Sequence, residues 1–111
     1  MLTVWREPKA HQPYCIGVDT AEGLIHGDYS CIQVLDVRTG EQVAIWHGHI
    51  PPDTLANEVF RLSLWYNDAL TCVESNNHGL TTIVQLRHLG HPNLFRKRTL
   101  SRVTTKVSME Y

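Results

Sequence analysis

The sequence predicts an α/β fold in which helices flank one mixed sheet. Three strand-like runs follow one another over residues 14–49 with only short turns or loops between them, and helix-like and strand-like segments alternate after that. Successive strands joined by tight turns form an antiparallel meander, whereas a helix between two strands returns the second strand parallel to its neighbour. With 111 residues, the chain fits a single domain that has a real core.

The meander is predicted from three segments: Tyr14–Asp19, Ser30–Val37 and Gln42–His49. The first segment is mostly apolar, which is typical of a central strand. Side chains in the second segment alternate between two faces with a period of two, as in a strand: Cys31, Gln33 and Leu35 on one face, and Ile32, Val34 and Asp36 on the other. Arg38-Thr39-Gly40-Glu41 is typical of a hairpin turn and joins the second strand to the third.

A helix is predicted after Pro51-Pro52, with Asp53 as its cap and its end near Tyr66. Its apolar residues recur with the 4-3-4 spacing of one helical face. They are Leu55, Val59, Leu62 and Tyr66.

The second half of the predicted fold is a strand, a helix and a short strand. The fourth strand is Ala69–Val73, which ends on Glu74, and the second helix is Leu80–Leu89. A short fifth strand is predicted at Leu94–Arg98, and no regular element is expected beyond Thr99. Placing the fourth strand beside the first gives the order 3-2-1-4-5, which is the ribonuclease H-like arrangement.

Two of the predicted strands end on carboxylates, Asp19 and Glu74. Because the two strands are neighbours and parallel, these residues are expected at one end of the sheet, where two unpartnered carboxylates would repel each other. Mg²⁺ prefers such hard oxygen ligands, and two ions about 4 Å apart can promote phosphodiester cleavage. Ordinary turn and pairing roles remain open: Asp19 as a cap, Asp28 as the start of a strand, and Glu74 as the partner of an arginine.

The charge is divided unevenly along the chain. Residues 75–109 contain no acid and six bases, which is the footprint of a nucleic-acid-binding segment or of a solvated face. Cys15, Cys31 and Cys72 are predicted to be buried free thiols, which favours an intracellular protein. The histidines lack the spacing of a zinc site, and surface or turn positions are expected for them.

Three segments together resemble the nuclease domain of the large terminase subunit of tailed bacteriophages, which packages and cuts phage DNA. They are YCIGVDTAEGLIHGDYS at 14–30, VLDVRTGEQVA at 34–44 and VESNNHG at 73–79. The resemblance covers about residues 2–100. It divides the chain into a lead-in at 1–13, a nuclease domain at 14–98 and a basic tail at 99–111.

The resemblance implies cleavage of double-stranded DNA with Mg²⁺ or Mn²⁺. Asp19 and Glu74 match the catalytic metal ligands, and Asp28 matches an acid often counted with them. Asn76 and Gly79 match a turn that shapes the pocket and reaches phosphate. The bases predicted to bind DNA are Arg96, Lys97, Arg98, Arg102 and Lys106.

The family's third acidic ligand has no match here, because the only acid after Glu74 is Glu110. We therefore expect a C-terminally truncated nuclease domain with weak or no cutting alone. The phosphate loop of the packaging ATPase is also absent. The family implies an ATPase domain, a small terminase subunit and a portal as partners, in the cytoplasm of a bacterial host, with no membrane.

Two other functions stay open. The first is a catalytically incomplete DNA-binding or structural piece of the same motor. The second is an actin-like or sugar-kinase ATPase half, because IGVDTA also resembles the phosphate loop of that group. Ala21, Glu22 and Asp28 fit the ATPase poorly, since carboxylates near phosphate need a metal between them.

Overall fold

A computed structural model describes residues 1–20, 29–74, 77–95, 97–100 and 107–110. These residues form a five-stranded mixed sheet, two helices and a separate two-stranded ladder. The strands are β1 (Leu2–Val4), β2 (Tyr14–Asp19), β3 (Ser30–Asp36), β4 (Gln42–Gly48), β5 (Leu70–Val73), β6 (Lys97–Leu100) and β7 (Val107–Glu110). The helices are α1 (Pro52–Trp65) and α2 (Asn77–His88).

The strand order of the main sheet is β1-β4-β3-β2-β5. β2, β3 and β4 pair antiparallel, and β5 returns beside β2 in the parallel direction after α1. This is the ribonuclease H-like mixed sheet that the sequence predicts, with the meander and the parallel crossover in the expected places.

The two outer positions of the sheet differ from the prediction. β1, which lies in the predicted lead-in, pairs antiparallel with β4. Three mostly exposed residues are too short a run to show strand alternation in the sequence. On the other side, the predicted fifth strand contributes a single parallel bridge from Leu94 to Thr71.

The polar end of the chain contains strands where no regular element was expected. β6 pairs antiparallel with β7 rather than joining the main sheet, so that Lys97 lies opposite Glu110. The prediction of no regular structure after Thr99 was therefore wrong. Each of these strands has four residues, which is too short a run for its pattern to be told from that of a loop.

The core lies between α1, α2 and one face of the sheet. The predicted apolar stripe of α1 and its C-cap residue Tyr66 is buried, with between 0% and 5% of each residue exposed. It packs with Ile16 of β2, Ile32 of β3 and Leu86 of α2 in one apolar cluster. Burying an aliphatic or aromatic side chain of this size is worth about 1.5–3 kcal/mol, so this layer fixes the helices against the sheet.

Both helices begin earlier than predicted. The N-cap of α1 is Pro51, and no side chain caps it. Asp53 instead lies in the first turn, where its Oδ1 accepts a hydrogen bond from the Thr54 N–H at 2.9 Å. A proline fits the first helical position because its missing N–H has no partner there anyway, so the helix starts at Pro52 and Asp53 is not its cap.

The face of the sheet opposite the helices is called the open face here. Side chains alternate along a strand, so the residues between the buried ones of β2 point to it: Cys15, Gly17 and Asp19. The three cysteines are free thiols, but Cys15 and Cys31 are only half-buried and Cys72 is exposed. Their predicted burial was wrong because they lie on this face. Among the described residues, no helix is long and apolar enough to cross a membrane.

Candidate metal centre

Asp19 and Glu74 lie side by side at the ends of adjacent parallel strands. The ladder between β2 and β5 ends with Val18 opposite Val73. The Glu74 N–H then donates a hydrogen bond to the Val18 carbonyl oxygen at 3.2 Å, which is the next bond of a parallel ladder. This register places Asp19 opposite Glu74 at the spacing of neighbouring strands, about 4.8 Å.

The two carboxylates belong to the same face of the sheet. Val18 is buried against the helices with 4% of its surface exposed, so the next residue, Asp19, belongs to the open face. Residues paired across a ladder share a face, and this puts Glu74 there too. Both residues are exposed. The acids that are 55 positions apart in the sequence are therefore neighbours in the fold.

Three strands end where these acids lie, and this end of the sheet is called the rim. β2, β4 and β5 run in one direction because β3 is antiparallel to both β2 and β4. Both helices start after strands that end at the rim. Thr82 in the second turn of α2 donates a hydrogen bond from Oγ1 to the Pro52 carbonyl oxygen at 2.9 Å, which ties α2 to the start of α1.

The donors at the rim suit a hard divalent cation. Two unit charges 4 Å apart repel by about 1 kcal/mol in water, and a cation between them reverses the sign of the interaction. Mg²⁺ is held in many proteins by one or two carboxylates and retains several waters. Within the described ranges, no group of three or more His, Cys, Asp or Glu side chains is arranged to hold a metal. The two carboxylates thus fit one ion that keeps part of its water shell.

The remaining predicted site residues are only partly described. Gly79 is buried in the first turn of α2, close after Glu74, and Lys97 and Arg98 lie on β6. Five others lie outside the described residues: Asp28, Asn76, Arg96, Arg102 and Lys106. Their roles stay predictions from the sequence and from the resemblance.

The rim also holds residues that the sequence did not assign to the site. Asp19 pairs with Cys31, and Cys31 pairs with His47 of β4. Glu74, Asp19, Cys31 and His47 therefore form one row across the open face. The alignment depends on an irregular step between Val34 and Leu35, where the β3–β4 register shifts. Counting outwards from the hairpin turn does not reveal that shift.

Comparison with known proteins supports the fold. No family model and no curated protein matches the sequence. Among solved structures, the large terminase nuclease from the thermophilic phage G20c with bound cobalt matches with a TM-score of 0.71 and 23% identity over 85% of this chain. The same nuclease with bound magnesium gives a TM-score of 0.64, again at 23% identity and 85% coverage of this chain. The large terminase nuclease domain of Thermus phage P74-26 gives 0.63 at 25% identity and the same coverage.

The matched region is 48% of the length of the G20c chains with cobalt and with magnesium and 46% of the P74-26 chain, so this chain spans about half of those structures. The described residues have the mixed-sheet architecture of large terminase nuclease domains. The resemblance found in the sequence motifs is thereby confirmed at the level of the fold.

Proposed function

We propose that this chain is part of a metal-dependent endonuclease domain of a phage DNA-packaging terminase, acting on double-stranded DNA. The observation that supports it most is the register that sets Asp19 beside Glu74 on an exposed face. The structures with this fold were solved with bound cobalt and bound magnesium, which agrees with a divalent metal at a carboxylate site.

Asp19 and Glu74 would hold Mg²⁺ or Mn²⁺, with Asp28 as a third oxygen donor. When bound, such ions supply an activated water and stabilise the leaving oxygen of a phosphodiester, as in two-metal nucleases. The protein's part is to hold the two carboxylates on rigid strands. Their backbone positions are fixed by the ladder between β2 and β5, so little reorganisation accompanies metal binding.

The DNA contacts proposed for this chain come from its basic C-terminal third. Gly79 lies in the first turn of α2, and Asn76 follows Glu74 by two positions in the sequence; both are proposed to meet a phosphate beside the metal centre. The basic residues are Arg96, Lys97, Arg98, Arg102 and Lys106. Each phosphate neutralised by such a residue releases counterions, so the affinity for DNA should fall steeply with salt.

A second candidate is a catalytically incomplete DNA-binding piece of the same motor. It is favoured by the rim having two carboxylates rather than a cluster of three or more among the residues that the structure describes. In both cases the proposed partners are those of a packaging terminase, namely an ATPase domain, a small subunit and a portal. The proposed location is the cytoplasm of the bacterial host.

A plasmid-nicking assay with Mn²⁺ distinguishes the two candidates. The wild-type chain is compared with Asp19→Asn and Glu74→Gln, which keep the side-chain size and remove the charge. Glu41→Gln is the matched control, because Glu41 follows the hairpin turn at the end of the sheet opposite the rim and is exposed.

Cutting that is lost in both rim variants and kept in Glu41→Gln supports the nuclease. If the wild-type chain binds DNA without cutting, the incomplete DNA-binding piece is supported instead. Equal cutting by wild type and Asp19→Asn would overturn the proposed metal centre.

A further inference from the structure

Cys31 and His47 form a pair of metal-ligating side chains in the rim row, beside the two carboxylates. The β3–β4 ladder sets Cys31 opposite His47. The residue after Cys31 and the residue before His47 are both buried in the core, so both members of the pair belong to the open face. Cys31 is half-buried and His47 is exposed, which leaves the sulfur and the imidazole accessible to an ion from solvent. We call Cys31 and His47 the soft pair.

The spacing of the soft pair suits one cation. Directly opposed residues on neighbouring strands have Cβ atoms about 4.5–5.5 Å apart. Zinc binds sulfur at about 2.3 Å and imidazole nitrogen at about 2.1 Å, and a tetrahedral angle then separates the two donor atoms by about 3.6 Å. Two side chains that leave the sheet about 5 Å apart can therefore close on the same ion. Because the described residues hold no group of three or more His, Cys, Asp or Glu arranged around a metal, water takes the remaining positions.

Each member of the soft pair has a neighbour that orients it. Gln33 Nε2 donates a hydrogen bond to Cys31 Sγ at 3.9 Å, so the sulfur already acts as an acceptor. The Tyr29 ring stands edge-on to the His47 imidazole, with 6.2 Å between the ring centroids and 88° between the planes. Outer partners of this kind hold metal ligands in position. The thiol and the imidazole are thus partly positioned before any ion binds.

We propose that the soft pair binds zinc, or a divalent cation of similar chemistry, at a position separate from the carboxylate pair. Thiolate and imidazole are donors that zinc prefers, whereas the carboxylates of Asp19 and Glu74 suit Mg²⁺ and Mn²⁺. The Cys31 thiol gives its proton to the buffer as the metal–sulfur bond forms.

The rim row therefore carries two kinds of metal donor side by side. The carboxylate pair spans β5 and β2, and the soft pair spans β3 and β4, so their midpoints are two strand spacings apart, about 10 Å. The two pairs share no residue. Zinc at the soft pair leaves Asp19 and Glu74 available to a hard ion, and the inference does not require that the chain cuts DNA.

The test follows binding of Co²⁺ to the reduced chain by absorption spectroscopy, with a reductant that contains no thiol. Cobalt takes the same donors as zinc, and a thiolate ligand gives it an intense charge-transfer band in the near ultraviolet. Cobalt at the carboxylate pair does not produce this band. The wild-type chain is expected to show the band, and Zn²⁺ is expected to remove it because zinc binds such donors more tightly than cobalt. Mg²⁺ in roughly tenfold excess over cobalt is expected to leave it unchanged.

The cysteine variants identify the sulfur. Cys31→Ser is expected to abolish the band. The double variant Cys15→Ser/Cys72→Ser keeps Cys31 as the one cysteine of the chain and is expected to retain the band.

The histidine variants identify the second donor. His47→Ala is expected to weaken Co²⁺ binding at least about tenfold, since even the loss of an outer partner of a metal ligand costs about 10–100-fold in affinity. His49→Ala is the matched control and is expected to bind Co²⁺ as tightly as wild type. His49 is also exposed and also contacts Tyr29, but it lies beyond the residue that pairs with Cys31.

Circular dichroism shows which variants are folded. A band that survives in folded Cys31→Ser, or that disappears from folded Cys15→Ser/Cys72→Ser, would overturn the inference. Equal weakening by His47→Ala and His49→Ala, removal of the band by Mg²⁺, or the absence of a band in wild type would also overturn it.

The soft pair and the proposed nuclease fail separately. Asp19→Asn is expected to keep the cobalt–thiolate band and to lose cutting, and loss of the band in folded Asp19→Asn would contradict two separate positions. A wild-type chain with the band but without Asp19-dependent cutting keeps the soft pair and loses the nuclease. A chain that cuts in an Asp19-dependent way and shows no band keeps the nuclease and loses the soft pair.

Discussion

The substitution Asp19→Asn is expected to change stability in opposite directions with and without a divalent metal. Asp19 and Glu74 lie on adjacent strands and share an exposed face, so their backbones are about 5 Å apart and their carboxylates can approach to a similar distance. Two charges at that distance repel by about 0.8 kcal/mol at the dielectric constant of water and by more where water is displaced. Neutralising one of them in the metal-free protein should therefore stabilise it by about 1 kcal/mol.

With Mn²⁺ present, the same substitution should be destabilising relative to wild type. A metal that binds only the folded state at one hundred times its Kd stabilises that state by about 2.7 kcal/mol. Asp19→Asn removes one of the two described ligands and should lose most of this gain. For a chain of 111 residues, 1 kcal/mol corresponds to about 4 °C in Tm.

Thermal unfolding followed by circular dichroism, at low salt, measures both effects. In EDTA, the Tm of Asp19→Asn is expected to be about 4 °C above that of wild type. Mn²⁺ is expected to raise the Tm of wild type by roughly 10 °C and that of Asp19→Asn by much less. Low salt is needed because exposed charges are screened within about 10 Å at 0.1 M. A variant that is less stable than wild type in EDTA and still gains the full stabilisation from Mn²⁺ would refute the adjacency of the two carboxylates.

Three further predictions concern the core and pH. The buried hydroxyl of Tyr66 donates a hydrogen bond to the Arg6 carbonyl oxygen at 2.8 Å, and burial raises the pKa of this hydroxyl to about 12. Tyr66→Phe should therefore lower the free energy of unfolding, measured by urea denaturation, by about 1 kcal/mol. An unchanged urea midpoint would count against this bond. Ile16→Ala should cost about 2–5 kcal/mol, since Ile16 is 1% exposed beneath α1, and a loss below 1 kcal/mol would contradict that packing. Burial lowers the pKa of His91 below its usual 6.5 despite the opposing effect of Asp68, so the stability linked to neutral His91 is full above pH 6.5 and is lost as the pH falls through the folded-state pKa. Between pH 7 and 5 the free energy of unfolding should therefore fall less in His91→Gln than in wild type. Identical slopes of the unfolding free energy against pH in the two proteins would refute this assignment.

The central part of the fold could be predicted because its strands and first helix carry strong periodic patterns. Tyr14–Asp19 has the same bounds in the sequence analysis and in the structure, and the α1 stripe is buried as its spacing indicates. One consequence could also be predicted, namely that strands ending on Asp19 and Glu74 are parallel neighbours. That step needed only the preference for a helical crossover between parallel strands.

The other parts of the fold depend on contacts that local sequence does not specify. β1 is three residues long and owes its position to pairing with β4, and β6 and β7 are four residues each, too short for an alternating pattern to identify them. The row that joins Cys31 and His47 to Asp19 was missed for a related reason. The shift in register between β3 and β4 decides which residue of β4 lies opposite Cys31, and no residue type in the hairpin indicates it.

The most direct test of the metal centre is a crystal structure of this chain soaked in Mn²⁺, with data collected at the manganese absorption edge. The predicted result is an anomalous difference peak for Mn²⁺ within coordination distance of carboxylate oxygens of both Asp19 and Glu74. A map with no peak at the rim, or with the two carboxylates on opposite faces of the sheet, would contradict it.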